Sequence, residues 1–183
     1  FLTRNPIRGD DPKGEAPTID KFVYEMNKNV KYSLLDCDHK YTVRVATFTG
    51  NVVVNQRDVR DIQHGEKELK SRLAEAALRA HEMTVALREL GYQAYEFHDR
   101  QTSIVTIGGF DFVGTPQPGG QVELNPKIYK VIEKFRAKKD AYGNLKVETL
   151  MGIPLDVQPM VVAIPRRSIS ADYVGGLFGS LQR

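Results

Sequence analysis

One long amphipathic helix, flanked by strand-like segments, is the feature that most constrains the fold of this chain. Between about Glu66 and Leu90, apolar residues recur at three- and four-residue steps, which is the spacing of one helix face. Gly91 follows where a left-handed C-terminal cap is expected. The apolar stripe consists of Leu69, Leu73, Ala76, Ala80, Met83, Leu87 and Leu90. Such a helix needs a second layer against which the stripe is buried.

Four segments with strand-like alternation supply that layer. They are Tyr41–Phe48 (YTVRVATF), Tyr92–His98 (YQAYEFH), Ser103–Phe110 (SIVTIGGF) and Val157–Pro165 (VQPMVVAIP). The two prolines of the last segment favour a strand at the edge of a sheet. In the first segment, strict alternation puts Tyr41, Val43 and Val45 on one face and Thr42, Arg44 and Ala46 on the other.

A second helix is predicted between the last two strands. Asn125 fits its N-cap and Pro126 its first turn. Its buried stripe is predicted to be Ile128, Val131, Ile132 and Phe135, with Lys127, Lys130, Lys134 and Lys138 on the other side. The resulting order βαββαβ predicts an α/β (α+β) ferredoxin-like sandwich. In this arrangement a four-stranded antiparallel sheet carries two helices on one face and leaves the other face open for ligands.

The two ends of the chain differ in composition from its middle. Residues 1–28 are predicted to form an extended arm, because three prolines and two glycines fall within the first twenty positions. Residues 29–165 form the predicted domain, with a polar insertion at about 51–65, and residues 166–183 form a glycine-rich tail. Isolated apolar residues in such ends are more easily ordered by a partner than alone. The arms therefore predict protein partners or self-association.

The ordered set of motifs resembles the SPOR (sporulation-related) domains of bacterial cell-envelope proteins. YTVRVATF, a helix that ends in ALRELG, GYQAYEF and VTIGGF follow one another as the family's strand, helix, strand and strand do. The resemblance spans roughly residues 41–165 and is better in the first half. The insertion at 51–65 and Ala46, in place of a usual glycine, depart from the family pattern.

This resemblance implies a non-catalytic module of the bacterial envelope or periplasm. It implies binding of septal peptidoglycan, chiefly glycan strands without stem peptides, across the open sheet face. Sugar rings stack on aromatic and apolar side chains, and their hydroxyls need polar partners. Alternation gives Thr42, Arg44, Ile104 and Thr106 as contacts on that face. A derived role in envelope assembly, with glycan binding lost, is the first alternative.

The sequence does not decide which residues of the strand Tyr92–His98 face the solvent. Either Gln93, Tyr95 and Phe97 are exposed together, or Tyr92, Ala94, Glu96 and His98 are. By family analogy Ala94 packs inside, which favours Gln93 and Tyr95 as contacts, with His98 and Arg100 at the margin. The opposing interpretation is that Tyr95 and Phe97 are core residues.

Composition and motifs exclude several other functions. A net charge of +3 is too small to indicate nucleic acid, and no apolar run reaches the roughly 20 residues of a membrane span. The single Cys37 excludes an internal disulfide and a multi-cysteine zinc site. The DCDH run at 36–39 has no metal-ligand spacing, and no phosphate loop or nucleophile motif is present. We therefore predict no metal, no cofactor and no catalytic residue.

An RNA-recognition domain is the second alternative, because it shares the βαββαβ order. Its third strand has the pattern K/R-G-F/Y-G/A-F-V-x-F/Y, and residues 108–115 read GGFDFVGT. The opening basic residue is missing, and Asp111 occupies a position where it would repel phosphates. Nucleic acid is therefore the less favoured partner.

Overall fold

A four-stranded antiparallel sheet forms the centre of the computed structural model, which describes residues 18–50, 65–117 and 122–167. Its strands are β1 (Tyr41–Thr49), β2 (Ala94–His98), β3 (Thr102–Phe110) and β4 (Met160–Ala163). They lie in the order β4-β1-β3-β2, and every neighbouring pair is antiparallel. The protein is thus a mixed α+β structure, and the strand with the two nearby prolines is an edge strand as predicted.

In the described part of the chain three α-helices accompany the sheet: α1 (Lys21–Asn27), α2 (Gly65–Glu89) and α3 (Pro126–Phe135). The bounds of α2 confirm the predicted helix, and Gly91 has the positive φ of 86° expected of its cap. The predicted N-cap of α3 is also confirmed, because the Asn125 side chain accepts a hydrogen bond from the backbone N–H of Lys127 at 3.0 Å.

Short paired segments complete the backbone. A 3-10 turn spans Leu34–Asp36. Four two-stranded ribbons pair Thr18–Ile19 with Arg166–Arg167, Gly114–Pro116 with Val122–Leu124, Lys138–Lys139 with Leu145–Lys146, and Thr149–Leu150 with Ile153–Pro154. The first ribbon is parallel and the other three are antiparallel.

Apolar side chains are buried on both faces of the sheet. On the α2 face, which carries α2 and α3, the cluster includes Val43, Val45, Ala46, Ala80, Met83, Leu87, Ala94, Val105, Ile107 and Ile128. On the opposite face, which we call the α1 face, a second cluster consists of Val23, Leu34, Cys37, Tyr95, Phe97, Ile104 and Ile164. The sheet is therefore covered on both sides over part of its area.

The cover on the α1 face comes from residues 18–38, which we call the covering segment. The sequence assigns residues 18–28 to an extended arm, whereas they form a short strand and α1. Hydrogen bonding explains how the segment follows the sheet edge: the Glu96 backbone N–H donates to the Tyr32 carbonyl at 2.9 Å. The expectation of an open face is thus wrong for this part of the sheet. Predictions for residues 1–17, 51–64 and 168–183 lie outside the described residues.

Candidate binding groove on the α1 face

A groove of about 580 Å³ lies on the α1 face beside the covering segment. Its apolar lining comes from the sheet, with Phe97, Ile104 and Val162, and from the covering segment, with Ile19, Val23 and Leu34. Its polar lining consists of Thr18, Asp20, Arg44, Thr47, Asp99, Arg100, Gln101 and Thr102. An apolar floor edged by hydrogen-bonding groups is the usual make-up of a small-molecule or sugar site.

The Arg44 guanidinium is held in place on one side of the groove. Its Nε lies 3.2 Å from the Asp156 carboxylate, which also accepts a hydrogen bond of 2.9 Å from the Thr47 hydroxyl. The Asp156 backbone N–H donates to the Val45 carbonyl at 2.8 Å, which anchors the carboxylate to β1. Both side chains of the ion pair are largely buried. The groove thus has a cation that is oriented before any ligand binds.

A second ion pair joins the β2–β3 turn to the covering segment. The Arg100 Nη1 lies 2.7 Å from the Asp20 carboxylate, and both side chains are exposed. The same carboxylate caps α1 by accepting the backbone N–H groups of Phe22 and Val23 at 2.9 and 3.1 Å. The Arg100 hydrogen bond, followed by that of Val23, lowers the pKa of Asp20. This rim therefore carries fixed charges of both signs.

Three of the eight predicted contact residues line the groove: Arg44, Arg100 and Ile104. Thr42 and Thr106 lie on the expected α1 face but are 0% exposed. The Thr42 hydroxyl donates to the Gly108 carbonyl at 2.7 Å, and the Thr106 hydroxyl has no hydrogen-bond partner among the described residues. Both threonines are therefore inaccessible to a ligand.

The structure shows which residues of β2 lie on which face of the sheet. Tyr95 and Phe97 belong to the α1-face cluster, and Ala94 belongs to the α2-face cluster, which is the arrangement that family analogy favours. Tyr95 is 8% exposed, so its ring is a core residue at this position. Gln93 is exposed and donates a 2.8 Å hydrogen bond to the Tyr95 hydroxyl, outside the groove lining.

His98 lies on the α2 face, in a network of buried polar groups. Its Nδ1 is 2.9 Å from the Ser103 hydroxyl, and its Nε2 is 3.5 Å from the Glu96 carboxylate. The other Glu96 oxygen is 2.7 Å from His81 Nδ1 on α2. The order serine, histidine, glutamate is that of a nucleophile and its base, but Ser103 is buried and does not line the groove. This network fastens β2 to β3 and α2.

The DCDH residues do not come together as ligands. Cys37 is buried in the α1-face cluster, whereas the His39 ring lies 3.1 Å from Asp111. Among the side chains described, in residues 18–50, 72–117 and 122–167, no three of His, Cys, Asp or Glu form a group suited to a metal ion.

Thr47 is a groove residue that alternation assigns to the wrong face. The pairing of β1 with β3 shifts between Arg44 and Ala46, so that Ala46 joins Val45 in the α2-face cluster. Thr47 consequently lies opposite Ile104 on the α1 face. The expectation that Ala46 shares a face with Thr42 and Arg44 is therefore wrong, because a bulge adds a residue to one strand.

The fold and the groove define a mixed α+β protein with a polar-edged cleft on one sheet face. Searches of protein-family models, of curated proteins and of solved structures found no match for this chain. No helix in the described part of the chain is long and apolar enough to cross a lipid bilayer.

Proposed function

We propose that this protein is a non-catalytic module that binds peptidoglycan glycan strands in a bacterial cell envelope. The observation that carries the proposal is the groove, where the small exposed parts of Phe97 and Ile104, 7% and 4% of their surface, are edged by Arg44, Thr47 and Arg100. Sugar rings present apolar faces edged by hydroxyls, and these two kinds of surface complement that lining. Binding through such contacts needs no cofactor and no reactive group.

The strand order gives independent support to the SPOR-like, ferredoxin-like part of the proposal. In the observed order β4-β1-β3-β2, the first and third strands are central and the second and fourth are at the edges. This order is expected when two βαβ units interleave in one antiparallel sheet. The helices α2 and α3 follow β1 and β3 and share one face, as that fold requires.

Co-sedimentation with peptidoglycan sacculi tests the proposal. We expect retention of the protein to rise when an amidase has removed the stem peptides, because the sugar chain is then accessible. The double variant Arg100→Ala/Gln101→Ala removes two exposed polar groups of the rim and should weaken retention by about tenfold. Arg79→Ala is the matched control, because Arg79 is also exposed and ion-paired but lies on α2, away from the groove.

Two results would contradict glycan binding in the groove. One is absence of retention on either kind of sacculus while the circular dichroism spectrum is that of a folded protein. The other is equal loss of retention in the rim variant and in Arg79→Ala, which would point to nonspecific charge attraction.

A structural role in envelope assembly is the second candidate, and the covering segment is the observation that favours it. The family's glycan-binding face corresponds here to a surface on which Thr42, Tyr95 and Thr106 are buried. A protein that has lost glycan binding would show no sacculus retention. It would instead associate with itself or with another envelope protein in analytical ultracentrifugation or crosslinking.

RNA recognition has less support. Phe110, which fits the RNA-recognition pattern, packs in the α2-face cluster, and Phe112 follows the end of β3. On the other face, Tyr95 is buried outside the groove lining and Phe97 is 7% exposed, so there is no row of exposed rings on which successive bases could stack.

A further inference from the structure

Positive charge is concentrated in one short part of the chain. Residues 126–150 contain seven basic and three acidic side chains, an excess of four, whereas the whole chain has a net charge of +3. This stretch comprises α3 and the ribbon of Lys138–Lys139 with Leu145–Lys146. The remainder of the chain is close to neutral, so the excess belongs to this surface.

Most of this charge is not neutralised locally. Two ion pairs join Arg136 to Glu133 and Lys138 to Glu148, each at 3.0 Å. Five further lysines have no carboxylate within 4.0 Å among the described residues: Lys127, Lys130, Lys134, Lys139 and Lys146. The first three follow one another along α3, and the Lys134 ammonium lies 4.9 Å from the centre of the Tyr92 ring. All five are exposed.

Large apolar side chains project from the turns that follow α3 along the chain. Tyr142 is 90% exposed at the tip of the lysine-bearing ribbon, and Met151 is 72% exposed at the tip of the next one. At the tip of the lysine-bearing ribbon, the Asp140 carboxylate accepts hydrogen bonds from the backbone N–H groups of Tyr142 and Asn144 at 2.8 and 2.9 Å. A hydrogen-bonded turn thus holds an amphipathic ring in solvent.

We propose that this basic surface, formed by α3 and the residues 138–151, binds peripherally to membranes that contain anionic phospholipid. Exposed lysines are attracted to such a membrane, and a tyrosine or methionine at a loop tip enters the interface beside the headgroups. Lysine supplies diffuse charge rather than the bidentate pairing that arginine gives to individual phosphates or bases. The apolar groups stand on separate tips and form no flat stacking platform, which favours a lipid surface over a nucleic acid.

This surface is separate from the groove and extends the proposed function. α3 packs in the cluster on the α2 face, whereas the groove lies on the α1 face. None of the residues that line the groove belongs to α3 or to residues 138–151. A protein with both surfaces would hold a glycan strand beside a membrane. Because the two surfaces share no residue, loss of glycan binding and loss of membrane binding are separate experimental results.

Sedimentation with lipid vesicles tests the inference. We expect the full chain to bind phosphatidylcholine vesicles that contain phosphatidylglycerol, to bind pure phosphatidylcholine far less, and to be released by salt. The triple variant Lys127→Gln/Lys130→Gln/Lys134→Gln should reduce partitioning by about fivefold per lysine, or about a hundredfold in all. The control Lys21→Gln/Lys31→Gln/Lys40→Gln removes the same charge from exposed positions elsewhere.

A fluorescence experiment tests the role of the turn. The chain has no tryptophan, so Tyr142→Trp introduces a single probe at the tip. Its emission should shift to the blue with anionic vesicles if the ring enters the interface. The inference is overturned if both triple variants lose binding equally, if the emission of the Tyr142→Trp variant does not shift, or if a single-stranded oligonucleotide binds and vesicles do not.

Discussion

The side chain of Asn27 closes a ring of two hydrogen bonds with the backbone of His98. Its Nδ2 donates to the His98 carbonyl at 2.7 Å, and its Oδ1 accepts from the His98 N–H at 2.8 Å. Asn27 is fully buried at the end of α1, and β2 is an edge strand. One side chain therefore takes the place of a neighbouring strand and fastens the covering segment to the sheet.

Removing this pairing should destabilise the protein. Asn27→Ala leaves two buried backbone groups of β2 without partners, which we expect to cost about 2–4 kcal/mol of unfolding free energy in urea denaturation. Lys28→Ala is the control at the next position, where the side chain is exposed, and should change the free energy by less than about 0.5 kcal/mol. Equal effects of the two variants would show that Asn27 does not fasten the segment.

Tyr95 should behave as a core residue and not as a surface contact. Tyr95→Ala empties a ring-sized space in the α1-face cluster and should cost about 3–5 kcal/mol in the same assay. Tyr129→Ala is the same substitution at a position that is 52% exposed, and we expect a loss below about 1 kcal/mol. A small loss at Tyr95 would mean that the covering segment does not pack on it in solution.

The ion pair of Arg44 with Asp156 should be energetically coupled. A double-mutant cycle with alanine at both positions is expected to give about 1–2 kcal/mol, because the pair is largely buried and shares the Thr47 hydrogen bond. The exposed pair of Glu75 and Arg79 on α2 should give no more than about 0.5 kcal/mol. Coupling of the same size in both cycles would refute the orienting role of Asp156.

The lowered pKa of Asp20 has a direct test. A carboxyl whose folded pKa is lowered stabilises the fold above the ordinary aspartate pKa, and this stabilisation is lost as pH falls through the folded value. Arg100→Gln should raise the pKa of Asp20 towards its ordinary value in a carbon-13 carboxyl titration. The pKa of Asp140, lowered by the backbone N–H groups of Asn144 and Tyr142, should not change in this variant.

Local periodicity predicts the elements that bury a regular face. The stripe around Ala80 and Leu87 identifies α2, and the Asn125-Pro126 pair marks the start of α3 within a residue. These features depend on neighbours in sequence, which is why the sequence alone contains them.

The candidate site is predictable only in part, because two of its determinants are tertiary. The bulge after Arg44 exists only in the pairing of β1 with β3, so alternation along one strand does not reveal it. The covering segment has apolar contacts at Val23, Leu34 and Cys37, which follow no helical or strand period. Its docking on the sheet, where it packs with Tyr95 and Phe97, therefore has no local signal.

The position of Cys37 makes the opening rate of the covering segment measurable by thiol labelling. It is the only thiol in the chain, and it is buried between the covering segment and the sheet. A thiol reagent can reach its sulfur only during moments when that segment lifts. At saturating reagent, the rate of labelling equals the frequency of this opening, so a single reaction curve measures how often the hidden sheet face meets solvent.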